Sequence, residues 1–259
     1  MIRRISIQGY KSFKKLTLEL KPLTVIFGPN TSGKSNFLDA LYLLSQMVSR
    51  KTLKEAFEAH RGLPLESFFY GDVGYDELLK RAKLQFTFEV DVQISDSVLS
   101  KVEEMVQAKR KGIESPEPKA KKVISERFLR YRLSVEALPD TGYLRVTDER
   151  LSAIKDNGQP RGGRRPFLER EGSRIHLRME GQAGHPMYHE IGLDHTIVST
   201  SLYEPHHPHI TAFRMELTNW NIYYLEPKQL MRDEMPLAEV DNIGPRGENL
   251  AAFLNTLQH

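Results

Sequence analysis

The feature that most constrains this sequence is a glycine-rich segment, residues 28–35, which fits the phosphate-binding pattern G-x-x-x-x-G-K-[ST] at every fixed position. The apolar run before it, residues 23–27, predicts a short buried strand. Apolar residues at helical spacing follow between positions 37 and 48, so a helix is predicted to begin within or just after Gly33-Lys34-Ser35 and to end near Ser49. Strand, glycine loop and helix form the context in which this pattern binds phosphate, and an ordinary strand-to-helix turn is the alternative.

Each residue type in this loop suits a phosphate group that carries a metal ion. Successive backbone N–H groups and the positive end of the helix form a concave site for the β- and γ-phosphates. Gly28 and Gly33 allow backbone angles and close approaches that a Cβ would obstruct. Lys34 supplies a mobile positive charge near the phosphates, and Ser35 offers a hydroxyl to Mg²⁺. The predicted site for nucleotide phosphates and Mg²⁺ is completed by Pro29, Asn30, Thr31, Ser32 and Asn36, of which Asn30, Thr31 and Ser32 present N–H groups.

Three segments near the N-terminus resemble the opening of a known group of ATPases. They are the turn Tyr10-Lys11-Ser12-Phe13, the loop "G-P-N-x-S-G-K-S-N" and the helical segment "L-D-A-L" at residues 38–41. Together they resemble the SMC, RecF and OLD-like ATPases, which carry an ABC-type nucleotide-binding head. The resemblance is close over residues 5–41 and looser towards the C-terminus. It implies that Lys11, Ser12 and Phe13 flank the nucleotide.

The fold class implied is an α/β P-loop NTPase, the N-terminal lobe of an ABC-type head, with an antiparallel β-subdomain and a charged insertion. Residues 2–27 predict three strands, and strict alternation at 84–94 and 129–137, with a shorter repeat at 175–179, predicts an antiparallel sheet with one solvated face. Five segments are predicted: the P-loop core 1–50, a connecting segment with one strand 51–100, the insertion 101–127, the β-subdomain continuation 128–229, and a linker with the start of a helix 230–259.

The predicted insertion carries eight basic and five acidic residues over 101–127. It is interpreted as a solvated helix, a mobile linker and another helix start. Its basic clusters at 109–111 and 121–122, and the basic glycine-containing loop at 161–165, are candidate nucleic-acid contacts, with an exposed charged surface as the alternative. His206, His207 and His209 suggest a metal site, but Pro205 and Pro208 predict a non-helical stretch, and no carboxylate falls at a ligand spacing.

An ABC-type ATPase also needs an apolar strand ending in Asp-Glu and a Leu-Ser-Gly-Gly-like signature, and neither is evident here. Residues 222–227 imitate the acidic strand but offer only Glu226, and residues 151–154 lack the signature glycines. Gln159 and Gln182 are the candidates for the glutamine loop. Residues 244–254 resemble the segment that precedes the C-terminal half of the head in OLD-like and RecF-like ATPases. We therefore expect an incomplete head, so no catalytic residue is assigned.

Composition limits the alternatives. The chain has no cysteine, so disulfides and thiolate metal sites are excluded. No apolar stretch approaches the ~18 residues of a membrane span, so a cytoplasmic protein without membrane contacts is expected. A formal net charge of +3 is too small to indicate a polyanion partner by itself.

Three functions fit these observations. The first is an ATP-binding half-head that hydrolyses ATP only with a missing C-terminal lobe and as a homodimer closed around the nucleotides, in DNA repair, chromosome maintenance or anti-phage defence. DNA and a partner effector protein are its candidate partners. The second is a self-sufficient P-loop hydrolase or kinase that uses Glu226. The third is a non-catalytic module that binds nucleic acid or another partner.

Overall fold

The computed structural model describes residues 1–60, 62–110, 122–180, 186–223, 243–244 and 247–256. The chain forms two compact units, Met1–Asn219 and Trp220–His259. The described residues of the second unit include one helix, α6 (Leu250–Thr256). All other helices and strands named below belong to the first unit. The five segments predicted from the sequence remain a prediction.

One antiparallel sheet organises the first unit. Its eight strands lie in the order β2-β1-β3-β4-β5-β6-β7-β8. Their bounds are β1 Ile2–Tyr10, β2 Phe13–Glu19, β3 Leu84–Gln93, β4 Phe128–Leu138, β5 Tyr143–Ala153, β6 Leu168–Glu171, β7 Arg174–Leu177 and β8 Met187–Glu190. The long strands β1, β3, β4 and β5 form its centre, where alternating apolar residues give a buried face.

Helices provide the other half of the core. They are α1 Lys34–Ser49, α2 Leu53–Glu58, α3 Tyr75–Leu79, α4 Asp96–Arg110 and α5 Pro208–Thr218. Helix α1 packs against α2 and α5, and α5 packs against α4. The ring of Phe213 in α5 lies 4.7 Å from the ring of Tyr131 in β4, and the hydroxyl of Ser45 in α1 donates to the carbonyl of Leu217 at 3.1 Å. These contacts fix the far end of the helix that follows the glycine loop.

The opposite face of the sheet carries opposite charges on neighbouring strands. Arg130 on β4 donates two 2.6 Å hydrogen bonds to Asp91 on β3, and Arg4 on β1 donates to Glu89 at 2.9 Å. Arg130 and Asp91 are directly opposite, and Arg4 and Glu89 are diagonal neighbours. Such cross-strand pairs favour one strand register over its alternatives. The predicted sheet with one buried and one polar face is therefore present.

The prediction of a buried strand at residues 23–27 is wrong. Leu23, Val25 and Phe27 are 83%, 74% and 89% exposed, and the segment forms no strand. The chain leaves the sheet after the Leu20 N–H donates to the carbonyl of Arg3. A strand needs a neighbour for its backbone groups, and no described segment pairs with these residues.

Strand β5 was missed by the sequence analysis because a bulge interrupts its alternation. Its register with β4 shifts between Ser134 and Val135, and Thr147 has no opposite residue. The extra residue turns Glu149 towards the core, where an unbroken alternation from Val146 would have placed Asp148. The charged residues in mid-strand therefore hid a strand of eleven residues.

Two expectations about helices also need correction. Helix α4 buries Val98, Val102 and Val106, so it is not solvated all round, and residues 122–127 form no helix. Pro208 does not keep its stretch non-helical, because it occupies the first turn of α5, where its missing N–H needs no partner. Helix α1 lies where the sequence predicted it.

Candidate nucleotide-binding site

The glycine loop turns sharply into α1. Gly28 and Gly33 have φ angles of +153° and +92°, and Thr31 also has a positive φ, +73°. The N–H of Ser32 donates to the carbonyl of Pro29 at 3.4 Å, which closes a turn within the loop. A Cβ on Gly33 would lie 3.0 Å from Phe13 and 3.1 Å from the hydroxyl of Ser12. Glycine at position 33 is therefore required both by the backbone angle and by the neighbouring turn.

Lys34 folds back over this loop. Its Nζ donates to the carbonyls of Gly28 and Pro29, at 2.7 Å each. A single ammonium thus bridges both carbonyls at the start of the loop while remaining accessible. This arrangement places a positive charge against the loop backbone, where it would meet an anion bound there.

The N-terminus of α1 has the properties of an anion site. The helix has 16 residues, its N-cap Gly33 provides no side-chain hydrogen bond, and its first turn carries no acidic residue. The first N–H groups of a helix have no partner within the helix, and the macrodipole adds a partial positive charge. Ser35 is exposed in this first turn. The loop, Lys34, the helix terminus and the Ser35 hydroxyl together fit a phosphate group with an accompanying metal ion.

The turn between β1 and β2 is fastened to α1 beside the loop. Lys11, a non-glycine residue with φ +43°, donates from Nζ to the carboxylate of Asp39 at 2.6 Å. The next residue, Ser12, accepts a 2.8 Å hydrogen bond from the amide of Asn36. The structure thus brings Lys11, Ser12 and Phe13 to the loop, and their contact with a nucleotide remains a prediction.

Asp39 is the residue of this site that the sequence analysis missed. It lies one turn after Ser35 and is 6% exposed, and the other buried residues of α1 are apolar except Ser45. A carboxylate on a buried helix face requires a partner, because an unpaired buried charge is strongly unfavourable. That position was the signal available in the sequence, and Lys11, 28 residues away, supplies the partner.

Comparison with known proteins identifies the family. A family model described as "AAA ATPase domain" matches residues 1–139, more than half of the 259 residues. The chain belongs to the AAA ATPase domain family. This AAA ATPase domain contains the glycine loop, α1 and the first four strands of the sheet. The P-loop NTPase class predicted from the sequence is therefore confirmed, whereas the incompleteness and the charged insertion remain predictions.

The AAA ATPase domain is similar to two kinds of characterised protein. It is 44% identical over 54 residues to the chromosome partition protein Smc of Methanocaldococcus jannaschii. These 54 residues are 20% of this chain and 5% of that relative. It is 28% identical over 111 residues to the DNA replication and repair protein RecF of Streptococcus agalactiae, 42% of this chain and 27% of that relative. The resemblance to SMC and RecF ATPases is thus confirmed, and the chain spans well under a third of the length of these relatives.

Other candidate residues lie away from the glycine loop of the AAA ATPase domain or outside the described residues. Gln159 belongs to a turn in which its carbonyl accepts from the N–H of Lys155. Glu226 and Gln182 fall outside the described ranges, as do residues 111 and 121 of the basic clusters. The basic loop at 161–165 has two ion-paired arginines, because Arg161 and Arg164 both contact Glu126.

The histidines do not form a metal centre in the described part of the chain, where no group of three potential ligands could hold an ion. His209 has both ring nitrogens engaged. Its Nδ1 pairs with Glu180, and its Nε2 accepts from the backbone N–H groups of Ser125 and Glu126 at 3.2 and 3.0 Å. A histidine with no free nitrogen cannot act as a ligand or a general base without rearrangement.

One fully buried carboxylate stands out in the core of the first unit. Glu149 accepts from the Tyr131 hydroxyl at 2.8 Å and from the N–H groups of Ile197 and Val198 at 2.7 and 3.1 Å. Burial raises the pKa of Glu149 to about 7, despite these three donors. In the same loop, Thr196 donates to the carbonyl of Met47 near the end of α1. Glu149 therefore supports the loop that holds the distal end of the P-loop helix.

Proposed function

We propose that this chain binds Mg-ATP through residues 28–36 and is the N-terminal part of an SMC-like or RecF-like ATPase. The observation that carries the proposal is Lys34, whose Nζ lies against the carbonyls of Gly28 and Pro29 at the uncapped start of α1. Lys34 and the loop N–H groups would hold the β- and γ-phosphates, and Ser35 would hold Mg²⁺. The bound metal would supply charge neutralisation between the phosphates.

Hydrolysis is proposed to require residues outside the described part of this chain. Residues 23–27 form an exposed apolar segment that leads directly into the loop. In a P-loop fold such a segment is a strand, and a strand of the C-terminal lobe would give it the neighbour that the described residues do not provide. Among the acidic residues near Ser35, Asp39 is engaged by Lys11 and is a poor candidate to position water. The exposed segment therefore supports the half-head hypothesis.

Partners and pathway follow from the relatives and belong to the same proposal. One relative is named for chromosome partition and the other for DNA replication and repair. We propose DNA as a partner and a homodimer closed around two nucleotides as the active form. Anti-phage defence, with a partner effector protein, is the variant suggested by the OLD-like resemblance. In the described residues no helix is long and apolar enough to span a membrane.

Equilibrium binding of Mg-ATP to the wild type and to Lys34→Ala tests the function, with phosphate release followed in the same samples. Removing the ammonium deletes charge-assisted hydrogen bonds, so we expect the affinity to fall about 10- to 100-fold, with no turnover in either sample. Lys54→Ala is the matched control, because Lys54 is 84% exposed on α2 and should not affect binding.

Two results would contradict this proposal. Equal affinity in the wild type and Lys34→Ala would show that the loop is not the phosphate site. Turnover by this chain that depends on Lys34 would refute the requirement for a C-terminal lobe. It would revive the self-sufficient enzyme, and Glu226→Gln would then test the catalytic acid.

A further inference from the structure

A cleft of about 810 Å³ adjoins the start of α1. One side is formed by the loop end and the β1–β2 turn, and the other by residues that follow α2. Its lining includes Ser12, Ser35, Asn36, Glu66, Tyr70 and Tyr75. Its volume lies within the range of about 300–1,000 Å³ that small-molecule sites occupy. The phosphate site therefore continues into a space that could hold the rest of a nucleotide.

The far wall of the cleft is fixed to the same sheet as the near wall. Phe69 donates its N–H to the carbonyl of Gly9 at 2.9 Å, and Lys11 donates its N–H to the carbonyl of Ser67 at 3.0 Å. These bonds join the segment before Tyr70 to the end of β1. Because both walls are tied to the β1–β2 region, the width of the cleft is set by the fold rather than by a free loop.

The wall presents an aromatic surface. Tyr70 is 38% exposed, and the ring of Tyr75 stands edge-on to it with ring centres 6.5 Å apart. The glycines on both sides of the short turn between these tyrosines, Gly71 and Gly74, have φ angles of +57° and +80°. An exposed ring held edge-on by a second ring offers a flat face for stacking with a base.

The charges of the cleft separate the phosphates from the rest of the ligand. Glu66 lies on the wall of the cleft. Burial of the Tyr75 hydroxyl and the negative charge of Glu66 both raise the pKa of Tyr75. Asp39 adds a second carboxylate, neutralised by Lys11. A carboxylate wall repels phosphate but accepts hydrogen bonds from hydroxyl groups. The triphosphate therefore fits the loop, and a neutral group with hydroxyl donors fits the cleft.

We propose that this cleft holds the nucleoside part of the bound nucleotide, with the base stacked on Tyr70 and the ribose hydroxyls towards Glu66. The inference rests on the proposed function, because it extends the ligand of the glycine loop. Tyr70 is then a binding residue for the base and makes no contact with the phosphates.

The test compares two ligands, Mg-ATP and Mg-tripolyphosphate, which share the phosphate chain and differ by the nucleoside. Calorimetric affinities are measured for the wild type, Tyr70→Ala and Tyr70→Phe. Loss of the stacking ring in Tyr70→Ala should weaken ATP binding about tenfold and leave tripolyphosphate binding unchanged. Tyr70→Phe should keep the ATP affinity within about twofold of the wild-type value. Tyr143→Ala is the matched control, since Tyr143 is 45% exposed on β5 and does not line this cleft.

The outcomes separate the two proposals. If Tyr70→Ala binds ATP as the wild type does, the base lies elsewhere and the cleft proposal is overturned, while the Lys34-dependent function stands. If Tyr70→Ala weakens both ligands equally, the effect arises at the loop, and the cleft proposal is again overturned. A wild type that binds neither ligand would overturn both proposals.

Discussion

At the scale of the residue, Glu149 shows how one carboxylate is accommodated inside an apolar core. The β5 bulge turns it inward, and three donors from Tyr131, Ile197 and Val198 surround it. Burial disfavours its charged form more than the donors favour it, so its pKa rises from 4.5 to about 7. The protonation of Glu149 therefore makes the environment of the loop that supports α1 dependent on pH.

The raised pKa makes a prediction about stability. Between pH 4.5 and about 7 the folded state keeps a proton on Glu149 that the unfolded state has lost. At low pH this difference contributes on the order of 2–3 kcal/mol to the unfolding free energy, and the contribution is lost as the pH rises through 7. Urea unfolding of the wild type and Glu149→Gln at pH 5 and pH 8 measures it. The difference between the two proteins should change with pH, and parallel pH profiles would refute the assignment.

At the scale of the element, the β1–β2 turn and α1 behave as one unit of the site. The Lys11–Asp39 pair and the hydrogen bond from Asn36 to Ser12 hold the turn against the first two turns of the helix. The two side chains of the ion pair are only 13% and 8% exposed, so little solvent screens it. The position of the predicted flanking residues therefore depends on a buried carboxylate that belongs to the helix.

Removing this carboxylate should loosen the turn. Asp39→Asn leaves the Lys11 ammonium without its ionic partner, and we expect the unfolding free energy to fall by about 1–3 kcal/mol. Glu58→Gln provides the matched control. Its pair with Lys54 is 84% and 63% exposed, so its effect should stay below about 0.5 kcal/mol. Urea unfolding at one pH compares the two variants, and equal effects would mean that the buried pair does not stabilise the fold.

In the whole molecule, the first unit presents an eight-stranded antiparallel sheet beside an apolar segment, residues 23–27, that pairs with no described strand. Leu23, Val25 and Phe27 lie in solvent, although their composition is that of a buried strand. A contiguous exposed apolar segment is a common mark of an interaction surface. This is the feature expected if another lobe completes the head.

The exposure of this segment can be measured directly in the chain. Val25→Ala should change the unfolding free energy by less than about 0.5 kcal/mol, because a side chain that is 74% exposed loses little on truncation. Val90→Ala, at a fully buried position of β3, should cost about 2 kcal/mol. Similar losses in both variants would mean that residues 23–27 are buried in this chain.

The local elements could be predicted from the amino-acid sequence. The glycine loop, the start and end of α1 and the long strands β3 and β4 follow from spacing and periodicity, because each is encoded by neighbours along the chain. The family could also be predicted from the sequence, because the motifs of the glycine loop and of the flanking β1–β2 turn are each contiguous in the chain. The residues proposed to bind phosphate were therefore available from the sequence, including Lys34 and Ser35.

Contacts between groups that are far apart in the sequence follow from the folded structure alone. Lys11 and Asp39 are 28 residues apart, and Glu149 and Ile197 are 48 apart, so no local pattern joins them. Because of the bulge at Thr147, Glu149 instead of Asp148 points towards the core. The pattern of alternating residues cannot reveal this shift, because the bulge interrupts that pattern. Residues 23–27 have the composition of a buried strand but lie exposed, because burial needs a neighbouring segment and composition supplies none.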